Sequence, residues 1–95
     1  MDVIKEEMMA KIASDTMISR GIVEDVVNSL LENIEQSLVN GESVVFRGFG
    51  TFEAKERKAK IGRNVKAGIP VQIPAHITPV FKAGDALKKK VYREV

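Results

Sequence analysis

Apolar residues recur at helical spacing in the first part of this chain and at strand spacing afterwards. Ile4, Met8, Met9 and Ile12 predict a first helix over about Val3 to Ser14. Ser14-Asp15-Thr16 reads as a polar break. Ser19 is placed to cap a second helix running to about Asn40, and Gly41 to stop it. On that helix Val23, Val26, Val27, Leu30, Leu31, Ile34 and Leu38 form a stripe. It is wider than the single face of an ordinary surface helix. Such a stripe has enough surface to cover the chain's own sheet and also to meet a second copy of itself.

After Gly41 the period shortens. Ser43 to Phe46 reads as a strand, Arg47-Gly48-Phe49-Gly50 as a tight turn, and Thr51 to Ala54 as the returning strand. The strand pattern continues through Lys55 to Ile61 and meets a turn-rich run, Gly62 to Gly68. Ile69, Val71 and Ile73 then alternate on one face of a third strand. Pro70 and Pro74 fall on the other face. Proline cannot donate to a ladder, so this strand is expected at an edge or interrupted. Ile77 to Phe81 resumes it, and a short helix beginning at Gly84-Asp85 carries Leu87, Lys88, Lys89, Lys90, Val91 and Tyr92. The expected fold is α+β in the order α-α-β-β-β-α.

The 95 residues suit a single domain. A domain this small often needs a partner chain to complete its core. With no cysteine, disulfides and thiolate metal sites are excluded. The charged start, Met1 to Glu7, argues against a signal peptide or membrane span. Charge changes the picture through its distribution. Residues 1–44 carry three basic and nine acidic side chains, and residues 45–95 carry twelve basic and four acidic ones. A basic half attached to an acidic half points to a polyanionic partner, nucleic acid or an acidic membrane surface.

The middle hairpin narrows that choice. Its distal part, about residues 57–72, is expected to form an arm of roughly 25 Å at about 3.3 Å per residue. Arg57, Lys58, Lys60, Arg63 and Lys66 lie along it, and no acid falls between Arg57 and Lys66. A lone two-stranded ribbon is marginal in water, and one so charged repels itself. Phosphates would neutralise it and release condensed counterions, and a ribbon is slim enough for a DNA groove. Near the tip Arg63 and Asn64 can hydrogen-bond minor-groove acceptors, with the apolar Val65 beside them as a candidate wedge. A lone exposed valine is also ordinary on any surface.

These residues resemble the HU and integration host factor family of bacterial histone-like proteins. The match is carried by Gly48-Phe49-Gly50-Thr51-Phe52, Arg57, Gly62-Arg63-Asn64, Gly68, Pro79, Phe81 and Ala86-Leu87-Lys88, spaced without a gap. It covers nearly the whole chain. The resemblance implies an intertwined dimer. Residues 1–44 would form its helical body, 45–81 the sheet and arm, and 82–95 the C-terminal helix. It also implies that Phe49, Phe52 and Phe81 are core aromatics. Arg57, Lys60 and Arg63 match basic arm positions, Asn64 the tip asparagine, and Lys5 and Lys88 basic positions that hold flanking DNA. Lys58, Lys66, Lys82, Lys89 and Lys90 are phosphate contacts on charge grounds only. Lys89 and Lys90 are equally well explained as a solvated helix end favoured by its dipole. Two departures stand out. Val65 replaces the proline that usually follows Arg-Asn, and Asp85 replaces a basic residue and is expected to cap the last helix. Weaker or differently shaped bending is expected from both.

The functional expectation is therefore an architectural protein that binds, bends or compacts duplex DNA with low sequence specificity. It is expected to work as a homodimer associated with the nucleoid in the cytoplasm. The alternative is a partly specific bender paired with a related chain, as in integration host factor. No metal, cofactor, small-molecule substrate or membrane is called for. Catalysis would need converging acids, bases or nucleophiles, and the single histidine, His76, reads as structural. A membrane module would favour an amphipathic helix with bulky anchors, and an RNA binder an aromatic-rich strand face.

Overall fold

A computed structural model describes residues 1–64 and 68–95, and the side chains of all of these except Arg63 and Asn64. The expected contributions of Val65 and Lys66, and of the Arg63 and Asn64 side chains, lie outside the described residues. The chain divides into two compact units, Met1–Gln36 and Ser37–Val95.

In the first unit, α1 spans Lys5–Thr16 and α2 begins at Arg20. The expected polar break at Ser14-Asp15-Thr16 is instead the last turn of α1. Exposed polar side chains cost that turn little, and Thr16 Oγ1 donates to the Ile12 carbonyl at 2.7 Å. The helix stops one residue later, where Met17 takes a left-handed conformation with φ 59°. At the start of α2 the Ser19 hydroxyl accepts from the Ile22 N–H at 3.4 Å, a long bond at the expected cap. Arg20 donates to the Glu6 carboxylate at 2.8 Å and to the Glu6 carbonyl at 3.2 Å, tying the two helices together. Met9 and Val23 are the buried apolar side chains among the described residues. The α2 stripe divides: Val27, Ile34 and Leu38 are half-buried, whereas Val26, Leu30 and Leu31 are exposed, as is the adjacent Ile22.

The α2 helix continues to Val39 in the second unit, where its end is closed by two bonds. The Gly41 N–H reaches the Leu38 carbonyl at 3.0 Å and the Glu42 N–H reaches Ser37 at 2.9 Å. With Gly41 at φ 78°, this is a Schellman ending, a geometry a side chain would strain.

The strands of this unit form two sheets. β1 (Val44–Phe46), β2 (Gly50–Arg57) and β5 (His76–Ala83) make one antiparallel sheet in the order β1-β2-β5. β3 (Lys60–Asn64) and β4 (Ile69–Ile73) make a separate two-stranded ribbon. Two sequence expectations are corrected here. The outgoing strand, expected to run unbroken to Ile61, stops at Arg57 and restarts at Lys60. Gly62, Arg63 and Asn64, expected in a turn, are strand residues paired with Val71, Pro70 and Ile69. Among the described residues the ribbon has five residues per strand, hence roughly 17 Å of paired length at about 3.3 Å per residue. The return is interrupted between Ile73 and His76, as the prolines imply.

The register sorts β2 and β5 into two faces. Phe52 opposes Phe81, so Phe52, Ala54, Glu56, Ile77, Pro79 and Phe81 share one face. Phe46 meets Phe52 edge-on at 6.2 Å between ring centroids, and Phe81 lies 4.8 Å from Phe52 and 5.5 Å from Phe49. Gly50 is buried, because a β-carbon there would lie 2.4 Å from the Phe81 ring. The turn itself is closed by Phe49 N–H to the Phe46 carbonyl at 2.9 Å, with Gly48 at φ 84°. Gly84 then donates to the Phe49 carbonyl at 2.8 Å, fixing the start of α3 (Asp85–Val91) against the turn. The N-cap of α3 is Gly84, with no side-chain cap bond. Asp85 is therefore a first-turn residue whose charge suits the helix dipole, not the cap expected.

Candidate nucleic-acid interface

The second face of the three-stranded sheet is polar. On β2 it holds Thr51, Glu53, Lys55 and Arg57, and across from them on β5 stand Lys82, Val80, Thr78 and His76. Three cations and the histidine share this face with one acid. The acid is partnered: Lys82 Nζ lies 2.9 Å from Glu53 Oε1. The hydrogen bond from Lys82 holds the Glu53 carboxyl below the ordinary carboxylate range; desolvation opposes it, and the charges of Lys82 and Lys55 add to the lowering. The other β2 acid, Glu56, is carried on the aromatic side.

At the end of this face the sheet gives way to the ribbon. Arg57, Lys58, Ala59, Lys60 and His76 line an open cleft there. Each is exposed, so none of the cations is held by burial. Beyond them the ribbon presents Ile61, Ile69 and Val71 to solvent. Gly62 leaves room for Ile73, whose Cδ1 would lie 3.1 Å from a β-carbon at that position. A strip of cations thus leads into a slim, partly apolar ribbon that packs no sheet face of its own.

The expected site residues fall into separate places. Arg57, Lys58 and Lys60 come together at the root of the ribbon, and Lys82 lies on the same sheet face. Lys88, Lys89 and Lys90 occupy successive exposed positions in the last turn of α3. Steps of about 100° around a helix prevent all three from facing one phosphate. Lys5 opens α1 in the first unit. Lys55 and Glu53 were missed in the sequence, although alternation backwards from Arg57 would have placed both on its face. His76 was passed over because only pairing with Arg57 brings it beside the cations.

A helical unit, a small antiparallel sheet with a cationic face, and a charged ribbon continuing from it define a protein built to grip a polyanion with strands. The chain belongs to the bacterial DNA-binding protein family, whose model matches residues 3–92. It is similar to the DNA-binding protein HU of Lactococcus lactis subsp. lactis, 41% identical over 87 residues, 92% of this chain and 96% of that protein. It is also similar to the integration host factor subunit beta of Haemophilus influenzae, 43% identical over 88 residues, 92% of this chain and 94% of that one. Among solved structures, HU from Anabaena in a cocrystal with DNA superposes with a TM-score of 0.84 at 35% identity, covering 94% of this chain and 97% of that one. HU from Thermotoga maritima gives 0.68 at 29% identity, covering 95% and 100%.

Proposed function

We propose that this protein binds duplex DNA as a dimer and bends or compacts it with low sequence specificity, one domain of 95 residues contributing from each chain. The observation that carries the reading is the acid-poor strip from Lys55 and Lys82 through Arg57, Lys58 and Lys60 onto a ribbon with exposed apolar side chains. Charge on such a strip is favourable only beside phosphates, where counterion release drives binding. Arg63, Asn64, Val65 and Lys66 would extend the contact to the tip, in the minor groove. Lys5, Lys88 and Lys89 would hold flanking phosphates. Family membership and the likeness to an HU–DNA cocrystal support the same reading.

The dimer rests on exposure. Ile22, Val26 and Leu30 form an open row on α2, and Phe49 and Phe81 remain half-exposed at the aromatic cluster. A second copy of the chain supplies the missing cover. Similarity to integration host factor subunits keeps a related chain as the alternative partner. No helix among the described residues is long and apolar enough to cross a membrane. The family's DNA-binding role supports association with the nucleoid in the cytoplasm. Its described relatives are DNA-binding proteins rather than enzymes.

The deciding experiment measures binding to a short labelled duplex across a salt series, with a nicked duplex of the same sequence alongside. Steep loss of affinity with salt and preference for the nicked duplex are expected, since a flexible joint lowers the deformation cost. Absence of duplex binding at low salt would overturn the reading.

A further inference from the structure

The one histidine sits where the sheet ends and the ribbon begins. His76 opposes Arg57 in the register and lines the same cleft as Arg57, Lys58 and Lys60. Lys55 lies on the same face, diagonally across from it. The charged groups placed around the ring from β2, the link to β3, and β3 itself are therefore all cations. Glu56 belongs to the opposite face.

One ring nitrogen is already committed. His76 Nδ1 lies 2.8 Å from the Pro74 carbonyl oxygen. A carbonyl can only accept, so Nδ1 must carry a proton. In the neutral ring Nε2 is then a bare acceptor, and a phosphate offers it nothing but other acceptors. Only the protonated ring has an Nε2–H to donate while keeping the Pro74 bond. A ring shifted to the other neutral tautomer would lose that bond and gain no charge.

We propose that Arg57, Lys58, Lys60 and His76 form a binding site for one backbone phosphate of the duplex at the root of the ribbon, which His76 enters only as the imidazolium. The inference rests on the DNA-binding reading above and adds to it a proton taken up on binding. A seated phosphate favours the charged form of the ring, because an anion stabilises a cation beside it. Histidine is the side chain that changes charge between about pH 5 and 8. The grip at the ribbon's root therefore tightens on mild acidification, while the lysines and arginines stay charged throughout.

The test measures duplex affinity from pH 5.5 to 7.2 at constant ionic strength for the full-length protein, His76→Gln and His76→Lys. This window stays above carboxylate titration and below that of α-amino groups. In the unaltered protein, affinity is expected to fall as pH rises, by at most about tenfold per pH unit for each proton linked. The salt slope is expected to lose up to about 0.9 for each phosphate contact released. His76→Gln should give a flat profile at the weak level, and His76→Lys a flat profile at the strong level. Calorimetry in buffers of different ionisation enthalpy should register proton uptake on binding in the unaltered protein and none in His76→Gln. An equal pH response in the unaltered protein and His76→Gln, or no proton uptake, would overturn the site while leaving DNA binding intact. No duplex binding at any pH would overturn both readings.

Discussion

Glu53 is the residue whose surroundings most directly set the charge of the sheet face. Its ion pair with Lys82 occupies one cation of the proposed phosphate-binding face. The lowered Glu53 pKa means that the pair persists on acidification past the usual carboxylate range, and is lost only as pH falls through the lowered value. Its contribution to folding is thus present above the unfolded-state pKa and disappears in acid. Glu53→Gln should raise duplex affinity and steepen the salt slope by up to about 0.9, as one more phosphate is engaged. Thermal unfolding at neutral pH should change little, since the pair is open to solvent. Gly50 is the opposite kind of residue, important for packing alone. A β-carbon there meets the Phe81 ring at 2.4 Å and the Lys82 carbonyl at 2.6 Å. Gly50→Ala should destabilise the protein by about 1–3 kcal/mol in urea unfolding, the usual cost of overpacking.

At the scale of elements, the break between sheet and ribbon matters more than the length of either. Lys58-Ala59 on one side and Pro74-Ala75 on the other separate the two ladders; sequence alternation had joined them only on the outgoing side. Arg57 is the last paired residue of β2 and stands beside both. Arg57→Ala should weaken binding to all duplexes alike and flatten the salt dependence by about 0.9, the signature of a lost phosphate contact. Unchanged affinity and slope in a fluorescence titration would remove Arg57 from the interface. Of the elements, α2 was read nearly to the residue, because a capping serine and a glycine able to take positive φ bracket it. The ends of α1 and of the ribbon were misread, because polar residues there are compatible with a last helical turn, a turn or a strand.

For the whole molecule, the open row on α2 is the surface on which the proposed dimer rests. Leu30 is 47% exposed and Val26 62% exposed. Leu30→Glu would place a charge from each chain inside the proposed dimer contact, where an unpaired ion costs several kcal/mol. Sedimentation should show dimer dissociation raised by about two orders of magnitude or more. Duplex affinity should fall with it, because a monomer carries one ribbon instead of two. A variant that remains dimeric at micromolar concentration would place the interface elsewhere.

The order of elements, the division between an acidic helical half and a basic stranded half, and the cations of the ribbon were all legible in the chain itself. Period, caps and charge are local properties, written in neighbouring residues. Tertiary structure alone decided what depends on pairing across distant segments. Cross-strand register put His76 beside Arg57 and Glu53 near Lys82. It also sent Glu56 to the aromatic side and ended one ladder before the next began. A one-residue shift of that register would exchange the two faces of a strand, so neither the company of the histidine nor the pairing of the acid could be read before the strands were brought together.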